Sequence, residues 1–80
     1  MNVDAAVLDG EGRLRIEASQ PVHLLVLSAD PRTGDGAFLS LEARRGTNVV
    51  RLPLDRPGVS VEVVDVATGA VYARLGAPED

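Results

Sequence analysis

The chain has a single histidine, His23, and its serines are Ser19, Ser28, Ser40 and Ser60. An imidazole beside a hydroxyl is the minimum equipment for nucleophilic catalysis, and a carboxylate must then hold the imidazole in place. His23 falls on the opposite side of its segment from Val22 and Val26, and no serine sits in a nucleophile-elbow pattern. We therefore expect no catalytic residue and read the chain as not an enzyme. Paired carboxylates are the next possibility. Asp30 and Asp35 share the loop Ala29-Asp30-Pro31-Arg32-Thr33-Gly34-Asp35-Gly36, whose glycines would let carbonyls turn toward a hard cation such as calcium. They are weak metal candidates: the order does not match the twelve-residue calcium loop, and Arg32 puts positive charge where the cation would bind. An Asx-type turn is the plainer reading.

Phosphate chemistry finds little support. The net charge is −4, from twelve acids against eight arginines with no lysine. Phosphate binding needs clustered positive charge, and the nearest approach is Arg44 and Arg45 with Arg51 and Arg56 close in sequence. Gly34-Asp35-Gly36 lacks the helix and lysine of a phosphate-cradling loop. No nucleic-acid partner and no cofactor are expected. A carbohydrate platform would need exposed rings, and Phe38 and Tyr72 are the only aromatics.

The elements that must position these groups read as strands. Valine is abundant, and its branched Cβ suits a pleated surface. Side chains alternate with a period of two, broken by turn signals roughly every ten residues. In Val3–Leu8, Val3, Ala5 and Val7 share one side; in Arg13–Ala18, Leu14, Ile16 and Ala18 do. Asp9-Gly10 reads as a tight hairpin, with Gly12 leaving room for a longer turn or a bulge. Pro21 opens a third strand with Val22, Leu24 and Val26 on one face and His23, Leu25 and Leu27 on the other. Being apolar on both faces, it is either central or turned toward a partner.

Residues 29–36 form the longest loop and the expected crossing between sheets. Ala37, Leu39, Leu41 and Ala43 then face inward, with Phe38, Ser40 and Glu42 outward. Arg45-Gly46-Thr47-Asn48 turns the chain into residues 49–54, which place Val50, Leu52 and Leu54 on the core. Pro53 within that strand calls for an edge or a bulge. Asp55-Arg56-Pro57-Gly58 is a turn. Val59, Val61 and Val63 face inward in the sixth strand, with Val64 opposite. Asp65 accepts backbone amides in a hairpin turn ending at Gly69. Val71, Ala73 and Leu75 close the core, with Tyr72 and Arg74 outward. No segment shows helical spacing.

Seven such strands imply an all-β, mainly antiparallel two-sheet sandwich of immunoglobulin-like type, with a small barrel as the alternative. Residues 1–76 make one domain and 77–80 a frayed polar tail. A domain this small has a modest core, and association would add buried surface.

Pro21-Val22-His23-Leu24-Leu25-Val26-Leu27, Gly46-Thr47-Asn48-Val49-Val50-Arg51-Leu52, Pro57-Gly58-Val59-Ser60-Val61-Glu62-Val63 and Thr68-Gly69 resemble the rhythm of small bacterial immunoglobulin-like and fibronectin-type-III-like modules. The resemblance spans roughly residues 11–76. It departs from the family in lacking the core tryptophan and the tyrosine corner and in carrying Val59 where an aromatic is common. It implies a spacer, adhesive or docking module.

The functional expectation is a non-catalytic protein–protein interaction or assembly module, self-associating, with an outward surface of His23, Leu25, Leu27, Phe38, Val64 and Tyr72. The alternative is a small domain that binds a ligand or calcium through the 29–36 loop. There is no leader-like basic and apolar run, no stretch of the 18 or more apolar residues that a membrane span needs, and no cysteine. These features favour the cytoplasm slightly and exclude membrane insertion by a helix, while an excised module would be extracellular. Met1 mildly favours a complete product.

Overall fold

The alternating pattern becomes seven strands in the computed structural model, which describes residues 2–9 and 11–76. They are β1 (Val3–Leu8), β2 (Arg13–Ala18), β3 (Val22–Ala29), β4 (Gly36–Ala43), β5 (Gly46–Arg51), β6 (Ser60–Asp65) and β7 (Val71–Gly76). A three-stranded sheet in the order β1-β2-β5 faces a four-stranded sheet in the order β4-β3-β6-β7. Every pairing is antiparallel. The sheets remain separate, so the fold is a sandwich and not a barrel.

The interior is built as the period of two requires. Leu14 and Ile16 from β2 meet Leu24 and Val26 from β3 and Val61 and Val63 from β6, and none of the six is more than 1% exposed. Each side chain buried this fully contributes about 1.5–3 kcal/mol relative to exposure. β3 lies between β4 and β6, and only one of its two apolar faces meets the opposite sheet. Leu24 and Val26 are sealed in the core, while Leu25 and Leu27 on the reverse face are half-buried among neighbouring strands.

Four expectations are corrected. In β1 the register shifts between Val3 and Ala5. The extra residue flips the alternation, so Val3 is buried but Ala5 and Val7 point to solvent and Ala6 and Leu8 pack inward. The fifth strand runs over Gly46–Arg51 and stops before Pro53, which cannot donate to a ladder. Leu52 nevertheless stays buried beyond its end. The loop between β3 and β4 is a hairpin within one sheet, not the crossing. The crossings are residues 19–21, 44–45 and 52–59. The fourth is Tyr72, whose ring packs against the core instead of facing outward.

The hairpins β1–β2 and β6–β7 form as expected. The first is the longer turn: Asp9 Oδ1 accepts from the amides of Glu11 and Arg13, at 2.8 and 3.0 Å. Gly12, at φ 78°, closes it and lies against Asp55 so tightly that a Cβ would collide with that carboxylate. The Gly10 part of the hairpin expectation, and the expected tail at 77–80, lie outside the described residues. Among the described residues no helix is long and apolar enough to cross a membrane.

Candidate functional site

The outward residues of the four-stranded sheet line up in rows set by strand register. One row runs Ser40, Leu25, Val64, Val71 and the next Phe38, Leu27, Glu62, Arg74. Phe38 on β4 is 70% exposed, and Val71 on β7 is 40% exposed. Between them Leu27, Leu25 and Val64 are half-buried, so an apolar diagonal crosses all four strands. Glu62 and Arg74 border it with an ion pair at 2.9 Å. His23 stands at the other border, with Nε2 2.5 Å from Ser40 Oγ.

The structure thus gathers His23, Leu25, Leu27, Phe38 and Val64 on one face. Tyr72 is not among them. The register shift between Val63 and Val64 leaves Tyr72 as an extra residue opposite β6, and its ring packs against the core. Its hydroxyl donates to Asp65 Oδ2 at 2.7 Å. Val71, expected in the core, takes the outward place instead. The signal for this reversal is Asp65 itself, a buried carboxylate at a strand end that needs donors on both oxygens.

Asp65 holds its charge in that setting. The Tyr72 hydroxyl first, and then the amides of Ala67 and Thr68, keep its pKa below the ordinary carboxylate value, outweighing desolvation. The Ala67 amide meets Oδ1 at 2.8 Å. Gly69, at φ 76°, closes the turn as expected. The phenol of Tyr72 is pushed up by the same bond and then by burial.

The opposite end of the sandwich carries the second buried carboxylate, Asp30, at the mouth of the β3–β4 loop. Its Oδ1 accepts from the Arg32 amide at 2.9 Å and its Oδ2 from Arg56 Nη1 at 3.3 Å. Arg56 Nη1 also meets Asp35 Oδ2 at 2.8 Å. The Arg32 amide, followed by the Arg56 and Arg32 guanidinium groups, depresses the pKa of Asp30 against desolvation. Asp35 is depressed chiefly by Arg56. The two carboxylates do approach one charge, and that charge is a guanidinium from the 52–59 crossing. Arg32 Nη2 reaches the Pro57 carbonyl, and the Ser28 hydroxyl accepts from the Leu54 amide at 2.9 Å. The loop is thereby stitched to the crossing.

The remaining candidates separate. Arg44 and Arg45 lie in the β4–β5 crossing, Arg51 opposes Arg13, and Arg56 is committed to Asp30 and Asp35. His23 and Ser40 form a hydroxyl–imidazole pair on an exposed sheet surface. Among the described residues no carboxylate hydrogen-bonds that ring, and no group of three or more His, Cys, Asp or Glu is placed to hold a metal.

Two other surfaces carry apolar side chains. On the outer face of the three-stranded sheet, Val7 and Val49 are 57% and 56% exposed, but Arg15 stands between them in the register. A cleft of about 810 Å³ opens at the β1–β2 hairpin end, lined by Ala6, Leu8, Leu52, Val59 and Leu75 with Asp55 at its polar side. It follows the seam where β1 approaches β7 without pairing to it.

No protein-family model, no curated protein and no solved structure matches the chain.

Proposed function

We propose that this chain is a non-catalytic protein–protein association module, self-association included, whose docking face for a partner protein is the outer face of its four-stranded sheet. The observation that carries this reading is the apolar diagonal from Phe38 through Leu27, Leu25 and Val64 to Val71, with Phe38 70% exposed. A continuous apolar strip rimmed by Glu62, Arg74, His23 and Ser40 has the anatomy of a contact surface: an aromatic anchor, aliphatic neighbours and a polar border. The other outer face offers only valines kept apart by Arg15.

The strand order supports a family reading as well. β1, β2 and β5 stand where strands A, B and E of an immunoglobulin-like sandwich stand, and β3, β6 and β7 where C, F and G stand; β4 joins the C side. This favours the bacterial immunoglobulin-like or fibronectin-type-III-like module as the kind of domain, and docking or spacing as its role. The non-catalytic reading rests on the flat, solvent-open setting of His23 and Ser40. Calcium or ligand capture by the 29–36 loop is the weaker reading, because Arg56 already supplies the charge between Asp30 and Asp35.

The test is a comparison of proteins co-purifying with the wild type, Phe38→Ser, Val71→Ser and, as the opposite-face control, Val49→Ser. A partner retained by the control and lost by both outer-face variants is the expected result. Co-purification indifferent to Phe38 and Val71 overturns the reading.

A further inference from the structure

Each sheet has two edges, and two of the four, β1 and β7, carry irregularities of the kind that keep sheets from pairing with one another. β1 carries a bulge between Val3 and Ala5. β5 is regular but spans only six residues, ending at Arg51 with Pro53 just beyond. The register shift beside Val64 disturbs β7, which also bears Arg74. β4 is the longest of the four edge strands and has no bulge. It pairs with β3 without a register shift over all eight residues, Gly36–Ala43, contains no proline, and has Glu42 as its sole charge.

The ladder phase shows what this edge offers. The Asp30 amide donates to the Asp35 carbonyl at 2.8 Å, and the Val66 amide to the His23 carbonyl at 3.1 Å. In an antiparallel ladder the hydrogen-bonded pairs alternate, so even-numbered residues of β3 bond to β4 and odd-numbered ones to β6. On β4, therefore, Ala37, Leu39, Leu41 and Ala43 spend their backbone groups on β3. Gly36, Phe38, Ser40 and Glu42 aim theirs away from the sheet. The residues whose side chains form the outer face also carry the free edge.

We infer that β4 pairs antiparallel with β4 of a second copy about a two-fold axis at Leu39, joining two four-stranded sheets into one; this rests on reading the chain as an association module. In that register Phe38 faces the second copy's Ser40, and Gly36 faces its Glu42. Each such pair exchanges N–H···O=C bonds in both directions, because each member has a free edge. Leu39 meets Leu39 on the core side. On the outer side Phe38 lies diagonal to its own counterpart, within aromatic reach, so each copy's apolar diagonal continues into the other. The segment from Ala37 to Leu41 has no ionisable side chain, so the net charge of −4 does not meet itself at the seam. A single edge contact buries less than the roughly 1,200 Å² of a standard stable interface, which makes the dimer dependent on concentration.

Amide exchange resolved by residue tests this directly. At high protein concentration the amides of Phe38 and Ser40 slow by about tenfold or more relative to a dilute sample, while those of Leu39 and Leu41, bonded to β3, are slow in both. Ser40→Pro removes an edge donor at a position where the monomer tolerates proline, and sedimentation then gives a monomer at concentrations where the wild type dimerises. Phe38 and Ser40 exchange rates independent of concentration overturn the inference, whatever the folding of the proline variant. Should Phe38→Ser abolish dimers while those two amides never become protected, the contact is face-on; the edge pairing then fails and the association reading survives.

Discussion

Tyr72 donates its hydroxyl to Asp65 Oδ2 at 2.7 Å, and that bond decides which way β7 faces. A phenol directed outward would leave the buried carboxylate short of a donor; directed inward, it requires the bulge that puts Val71 on the surface. One polar requirement inside the sandwich thus shapes the surface offered outside.

The same bond sets a pH signature. Asp65 has its folded pKa below the ordinary 3.8, so its contribution to stability is complete above the unfolded value and is lost as pH falls through the folded one. Tyr72 has its folded pKa above the ordinary 10.0, so its contribution is complete below that value and is lost as pH rises through the folded one. Tyr72→Phe lowers Tm near neutrality, reduces the acid loss and removes the tyrosine part of the alkaline loss. Thermal melts from pH 2 to pH 12 check this; parallel Tm profiles for the two proteins would contradict it.

Arg56→Gln removes the guanidinium shared by Asp30 and Asp35. The variant melts lower than the wild type at neutral pH, and the deficit shrinks in acid as the stranded carboxylates protonate. Calcium leaves the wild-type Tm unchanged, because Arg56 occupies the space between the carboxylates. A calcium-induced rise in wild-type Tm that Asp35→Ala abolishes would restore the loop as a cation site.

Adjacent leucines on β3 separate the core from the face. Leu24→Ala costs about 2–5 kcal/mol, the range for truncating a sealed core leucine. Leu25→Ala, half-buried on the outer face, costs less than about 1.5 kcal/mol. Denaturant midpoints give both values, and equal losses would contradict the orientation of β3.

Gly12→Ala destabilises the β1–β2 turn twice, through φ 78° and through collision with Asp55. The left-handed backbone alone costs roughly 1–2 kcal/mol. Adding Asp55→Gly recovers the collision but not the backbone cost, so the double variant is more stable than Gly12→Ala and less stable than Asp55→Gly. Chemical denaturation of the four proteins checks that ordering.

The sequence and the structure agree where one face of a strand is apolar and the other polar. Arg13-Leu14-Arg15-Ile16 admits one orientation, and so does Phe38-Leu39-Ser40-Leu41 once an inward face is chosen. They part where both parities are apolar. Val3-Asp4-Ala5-Ala6-Val7-Leu8 and Val71-Tyr72-Ala73 fit a core in either phase, and a bulge that selects the phase leaves no mark on composition. The face containing Phe38, Leu25, Leu27 and Val64 was legible from alternation alone; the exchange of Tyr72 for Val71 was not. Neither was the clamp on Asp30, whose partner Arg56 lies 26 residues away in the chain. Loop length alone made residues 29–36 look like a crossing, when those side chains fasten a hairpin to the true crossing.

Hydroxyl-radical footprinting of the chain in complex with its co-purifying partner protein, compared with the chain alone, reads the docking face residue by residue. Docking through the outer face strips oxidation from Phe38, Leu25, Leu27 and Val64 and leaves Val7 and Val49 labelled as before. Unchanged labelling of Phe38, or protection confined to Val7 and Val49, would contradict it.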